Sequence, residues 1–322
     1  MVKKKRGKEQ DPITPLSSKV VLAISAAAAL IYFFSNPRPQ SFYDYTFRVA
    51  ANMLGGKVAF NLAQPTWLNE FVPFEGYYYS VFPLGAVVSM LPFAVLKAIG
   101  LITEMPGAWI ATILAGAICW FCLKIAAHYQ LDNTKRIMLS LAIVFGTFMW
   151  TNLSFAGAWQ LALGFAMLGE LGAIYFTVFD RRPILAGLFF AMAFGNRTEC
   201  LLTAPILIYF LYRDTQSESS RTTENPVATA PGSDTLRRVA LFCSVPFVLG
   251  IATLAYNYIR FHSIADFGYA RIPGVLDEPW YNHGIFSTYY IPRQAWEMLL
   301  KLWNWRSTFP YFVPDGFSSS IL

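Results

Sequence analysis

The chain has 322 residues, 55% of them hydrophobic and 14% charged, with a mean hydropathy of +0.42. That much apolar surface exceeds what one soluble core of this length can hide, which excludes a water-soluble globular domain. The formal net charge of +6 collects at the N-terminus and in loops, and no basic patch interleaves with aromatics, so it reads as membrane topology rather than a nucleic-acid footprint.

Residues 1–16 form a basic N-terminus, MVKKKRGK at its head, ahead of an apolar run that lacks a small-residue cleavage site and so reads as an uncleaved first span. Further apolar runs follow at 81–102, 108–128, 137–153, 159–178, 183–212 and 239–258, candidate membrane elements since a crossing needs roughly 20 residues. The expectation is an all-α polytopic membrane protein with about seven spans. If the N-terminus is cytoplasmic, the basic loops at 128–136, 180–182 and 213–238 are cytoplasmic as well. The segment 36–107 then begins and ends outside. Within it the run 81–102, interrupted by Pro83 and Pro92, is expected to be re-entrant or interfacial. By the same parity 183–212 is a two-legged hairpin with Asn196 to Glu199 at its outer turn.

Residues 17–212 make up the membrane domain on this reading, and 36–107 is its catalytic first outer loop. Asp44 precedes a short amphipathic helix in which Tyr43, Phe47, Ala50, Ala51 and Leu54 share one stripe, closed by Gly55 and Gly56. Such a helix lies flat on a membrane. Glu70 and Glu75 follow among aromatics that settle at headgroup level. Residues 213–238, rich in Ser, Thr, Pro and Gly, read as a flexible cytoplasmic linker. The last clear span is 239–258, and 259–322 is an outer-face aromatic segment with Trp280, Trp296, Trp303 and Trp305. The four cysteines (Cys119, Cys122, Cys200, Cys243) fall in apolar runs, where a thiol acts as a small buried hydrophobe.

Four pieces in order carry a resemblance. They are Asp44 with its Gly-Gly-ended helix, the stretch Glu75 to Leu84 with its aromatics and Pro83, the run from Arg182-Pro183 through Ala186-Gly187 to Arg197-Thr198-Glu199 and Pro205, and Tyr256-Asn257-Tyr258-Ile259-Arg260-Phe261-His262-Ser263 with Phe267-Gly268-Tyr269. Together they resemble the C-type (GT-C) integral-membrane glycosyltransferases, the group of protein O-mannosyltransferases and bacterial aminoarabinose and lipid-linked-sugar transferases.

The resemblance implies transfer of a hexose or pentose from a polyprenyl-phosphate-linked donor to an acceptor hydroxyl on a lipid, glycan or protein. It places the reaction at the outer face of a bacterial plasma membrane. Asp44 corresponds to the catalytic base, where many relatives carry two adjacent acids; Glu75 and Glu70, by default surface acids of a wet loop, are the candidates for a second acid. Arg197, Arg260 and His262 are the candidate donor-phosphate ligands, since guanidinium groups grip phosphate oxygens in pairs. No metal ligand set of His or Cys is spaced for binding, and a divalent cation is the one cofactor the resemblance admits. This chain has Val81-Phe82-Pro83 where many relatives have Lys-Pro-Pro. It also stops where relatives begin further spans, so a shortened form is expected.

Each residue also has a plainer reading. Spacing alone makes Asp44 a helix N-cap with Arg48 one turn on, Arg197 a turn charge paired with Glu199, and Arg260 a snorkelling anchor. Glu170 lies deep in an apolar run with no partner legible in the sequence. Two rival functions follow: a transporter or flippase for a lipid-linked or polar solute, and a truncated non-catalytic membrane partner.

Overall fold

The computed structural model describes residues 16–37, 43–61, 70–221, 231–277, 281–284, 287–301, 304–305, 307–308 and 312–313. Most of the basic N-terminus, the centre of the linker, Trp280 and Trp303 lie outside the described residues.

The chain is a helical bundle. Helices α1 (Ser18–Ser35), α4 (Gly107–Ala126), α7 (Ala158–Ile174, continued by a π-helical turn Tyr175–Phe179) and the apolar part of α10 (Pro231–Phe261) are long and apolar enough to cross a membrane. Four such helices, rather than about seven, stand among the described residues. The multi-pass membrane class expected from composition is consistent with them.

Shorter apolar helices account for part of the difference. Helix α3 (Leu84–Ala98) is continuous, with Pro92 inside it, and α8 (Pro183–Asn196) ends where a 3-10 turn (Thr198–Thr203) leads into α9 (Ala204–Arg221). The apolar run 137–153 is two helices, α5 (Asn133–Phe145) and α6 (Phe148–Leu153). Gly146 ends the first, its N–H on the Ala142 carbonyl, and Thr147 caps the second, its hydroxyl accepting from the Met149 N–H. A cap side by side with a stop breaks what hydropathy reads as one span. The linker reading also gives way at its edges, because α9 continues to Arg221 and α10 starts at Pro231.

Helices α1 and α4 run antiparallel, as do α7 and α8, whereas α4 and α7 run parallel, with Leu114 on Gly164 and Phe121 on Tyr175. Helix α1 lies along α4, α4 along α7, and α7 along α8, which also packs on α3 and α10. Helix α8 is crossed closely on two sides: a Cβ built on Gly85 of α3 would overlap the backbone of Gly195, and one built on Gly187 would overlap the Phe242 carbonyl of α10. Small residues let membrane helices approach like this, and dispersion then does the holding. Beside the α3 crossing, the Asn196 amide donates to Ser89 Oγ at 2.9 Å. The main core runs through Tyr32, Phe47, Met90, Ile110, Leu114, Ile118 and Leu161, and a smaller one gathers Phe190, Leu207 and Phe242 between α8, α9 and α10.

One end of the bundle carries α2 (Tyr45–Leu54) and a β-hairpin of β1 (Phe71–Phe74) and β2 (Tyr77–Ser80). Helix α2 matches the expected amphipathic helix, burying Phe47, Val49 and Ala50 against α3. The hairpin was not foreseen. Its turn residues Glu75 and Gly76 both have positive φ, +47° and +80°, the conformation of a type I′ turn. Phe60 bridges onto Tyr78, adding a third extended segment.

Later in the chain, α11 (Ile291–Ala295) runs into a π-helical turn, Trp296–Leu300, and Asn304–Trp305 pairs antiparallel with Phe312–Val313 as β3 and β4.

Candidate active site at the α2 end of the bundle

Asp44 is the residue before α2, yet its side chain makes no capping bond to the helix. Its carboxylate instead accepts from Arg48 Nε at 2.5 Å, the i,i+4 partner that spacing foresaw. Burial pushes the Asp44 carboxyl above its ordinary value, and the Arg48 charge pulls the other way without offsetting it. A second cation acts on it from α3. Lys97, in the last turn of that helix, holds its ammonium 5.4 Å from the Phe47 ring centroid and adds to the positive potential at Asp44. Nothing in the local pattern marks Lys97, because only the α2–α3 packing brings it here.

Glu70 is the hub of the next layer. It sits at the foot of β1, where its main-chain carbonyl accepts from Val81 N–H at 3.0 Å and so extends the hairpin. Its half-buried carboxylate accepts from the Tyr45 hydroxyl and the Trp159 indole N–H. Burial raises the Glu70 carboxyl, these hydrogen bonds partly countering it. The Tyr45 oxygen in turn accepts the main-chain N–H of Trp159, one of the orphan donors at the start of α7. Burial and the Glu70 charge push the Tyr45 phenol upward, so it stays a neutral donor. Phe82 packs between the two rings, 5.0 Å from Tyr45 and 5.6 Å from Trp159.

Arg197 completes the chain of contacts. It follows α8, and its guanidinium lies over the Trp159 ring at 4.4 Å. Its side chain keeps 23% exposure, and its nearest acid is Glu199 at 3.9 Å, beyond hydrogen-bond length. The expected Arg197–Glu199 pair is therefore present but loose. Tyr45, Glu70, Trp159 and Arg197 thus form one connected set drawn from α2, the residue before β1, α7 and the α8 end, and Asp44 adjoins it through the peptide bond to Tyr45 while its carboxylate faces Arg48 and Lys97.

Arg260 is placed differently. It is 1% exposed, the largest fully buried side chain among the described residues. Its guanidinium donates to the Ser80 carbonyl and, at 2.6 Å, to Asn257 Oδ1, and lies 3.9 Å from the Tyr256 ring centroid. It ties the end of α10 to β2. His262 and Glu75 form a separate exposed pair, Nε2 to Oε2 at 3.2 Å, with side chains 62% and 61% exposed. Arg271, from the segment after α10, binds Asp266 at 2.7 Å and covers the Phe74 ring at 4.1 Å.

Glu170, partnerless in the sequence, accepts from Thr203 Oγ1 at 2.9 Å and from the Cys200 thiol, pinning the turn that follows Arg197. Among the described residues no group of three or more His, Cys, Asp and Glu is placed to hold a metal ion.

Compared with protein-family models, curated proteins and solved structures, the chain matches none.

Proposed function

We propose that this protein is a multi-pass membrane enzyme that transfers a sugar from a polyprenyl-phosphate donor to an acceptor hydroxyl at the membrane face bearing α2 and the β-hairpin. The observation that carries the reading is the linked set from Tyr45 to Arg197, with Asp44 beside it in the chain. A carboxylate of raised basicity lies one residue before a contact network that holds a partly exposed guanidinium, whose N–H groups make no short ion pair among the described residues.

In this reading the acceptor oxygen forms its bond to the anomeric carbon while the bond from that carbon to the lipid phosphate breaks. The acceptor proton passes to Asp44, and the phosphate departs with the electron pair. A base works best when its own affinity for the proton approaches that of the task, and burial of Asp44 moves it in that direction. Arg197 meets the charge that grows on the leaving phosphate. Trp159 holds that cation in place from below, and Glu70 fixes Trp159 through its indole N–H. Helix α3 serves as the interfacial element that floors the site, and Arg260 keeps the hairpin against α10.

The test is transfer from radiolabelled short-chain polyprenyl-phosphate sugars by the purified protein in lipid nanodiscs. Asp44→Asn is expected to lower the rate by roughly 100-fold or more, and Arg197→Ala to weaken donor binding while both proteins stay folded. Full transfer by the Asp44→Asn protein sinks the assignment.

A further inference from the structure

The opposite end of the bundle carries a buried cation whose charge nothing described there neutralises. Arg136 lies in the first turn of α5 and is 5% exposed. A guanidinium stays charged in any protein. Among the described residues its only side-chain hydrogen bond runs from Nη2 to the Tyr129 carbonyl, long at 3.3 Å, while buried Nε and Nη1 have no partner. The two acids in the adjoining turns are committed elsewhere. Asp132 takes both the ammonium of Lys135, at 2.8 Å, and its main-chain N–H, and Asp180 binds Arg182 at 2.8 Å. A buried polar group left unpaired calls for a ligand, an ion or water.

The surroundings say which kind. Arg136 stands at the turn between α4 and α5, about the length of a spanning helix from Asp44, since the 20 residues of α4 rise roughly 30 Å. Lys124, in the last turn of α4, holds its ammonium 5.5 Å from the Trp120 ring centroid. His128 stacks on Phe179 at 4.3 Å, and Tyr129 meets the same ring edge-on at 6.3 Å. Phe179 ends the π-helical turn of α7, a local widening that recurs at functional sites. Aromatic rings with basic side chains at the end of apolar helices form the setting in which proteins bind lipid phosphates.

We propose that Arg136 is the anchor of a phosphate-binding site at the bundle end remote from Asp44, filled by the phosphate of an anionic lipid headgroup or by free phosphate. A phosphate oxygen pair engages the guanidinium fork through Nη1 and Nη2, at the expense of the long Tyr129 bond and with a rotation of the guanidinium plane. Lys124 supplies a second positive charge at the same end. The site does not depend on sugar transfer.

The experiment uses the full chain, purified and reconstituted in nanodiscs of phosphatidylcholine with or without phosphatidylglycerol. Retained lipid is counted by native mass spectrometry, and a detergent sample is heated with and without millimolar inorganic phosphate. Lys19→Gln, an exposed charge removed from the same end, subtracts general electrostatics. The expected result is a preference for phosphatidylglycerol that Lys19→Gln keeps and Arg136→Gln lowers by roughly fivefold. A midpoint raised by inorganic phosphate in the native protein but not in Arg136→Gln, without lipid preference, assigns the site to the free anion. If the native protein prefers neither lipid and ignores phosphate, or if Arg136→Gln matches it in both arms, the proposal is overturned. Should Arg136→Gln fail to fold, Arg136→Lys keeps the charge without the fork, and an unchanged lipid preference in that variant overturns the proposal as well.

Discussion

Gly85 and Gly195 meet backbone to backbone, and the crossing of α3 on α8 that they permit sets Arg197 two residues beyond the contact. A methyl group at Gly85 has no flexible side chain to push aside. Gly85→Ala is expected to cost about 1–3 kcal/mol by forced separation of the helices, read as a lower unfolding midpoint in detergent. Gly250→Ala, with open space around it, is expected to be neutral or slightly stabilising, since alanine is the better helix former. Equal effects at the two positions would dissolve the argument for close approach.

Arg260 is expected to be a stability residue first. Its removal strands the Ser80 carbonyl and the Asn257 amide oxygen in a buried site. Arg260→Ala should cost about 3 kcal/mol or more and expose the hairpin to protease. Because the two share one bond network, adding Asn257→Ala should cost less than its single effect. Strict additivity in that double-mutant cycle would contradict the geometry.

Glu70 links pH to stability with a definite sign. Its folded carboxyl is raised by burial, so the native state holds the proton over a range where the unfolded chain has released it. The stability tied to this group is complete below the unfolded value and declines as pH rises through the folded one. Glu70→Gln removes the titration. The stability of this variant relative to the native chain should therefore increase from about pH 4 toward pH 8, as measured by urea unfolding at each pH. A difference that shrinks over that interval would reverse the assignment.

The hairpin turn offers a further test. Gly76 at φ +80° suits glycine, and Glu75 at +47° is an acid in a position that asparagine favours. Gly76→Ala is expected to destabilise by roughly 1 kcal/mol, while Glu75→Asn should be neutral or stabilising. The exposed Glu75–His262 pair lost in the second change is worth little. A large loss on Glu75→Asn would show that the pair matters more than the turn.

Membrane sidedness follows from the bundle ends. Single cysteines at Thr198 and Ser263, in a chain freed of its four native cysteines, should label with an impermeant reagent from the side that labels Asp44. Ser219, on α9, should label only after permeabilisation. Thr198 opposite to Asp44 would take the proposed site apart.

Much of the α2 end was legible because its signals are local. Asp44, the apolar stripe from Phe47 and the closing Gly55-Gly56 lie within a dozen residues, and periodicity reads them directly. The hairpin escaped because its turn is Glu-Gly rather than Asn-Gly and its three consecutive Tyr residues, Tyr77 to Tyr79, lack a strand's alternation and resemble an interfacial belt. The break at Gly146 and Thr147 escaped because hydropathy averages over it. Glu70, read as a loop acid, owes its place to Trp159, far away in sequence, and no window joins the two. Arg260 carried its neighbour Asn257 in the same stretch, yet its burial comes from Ser80, which only the fold supplies.

Two polar contacts made by α1 bear on how the chain is assembled. The Tyr32 hydroxyl donates to the Val144 carbonyl at 2.6 Å, and the Asn36 amide donates to the Ser154 carbonyl at 2.7 Å. The acceptors leave the ribosome after α2, the hairpin, α3 and α4 have been made. Until then the first helix carries an unanswered hydroxyl near one of its ends, able to pair with whatever else is at hand. Biogenesis of this protein is thus exposed to a kinetic window that closes only with the translation of α5 and α6, and a pause in synthesis before residue 144 would lengthen it.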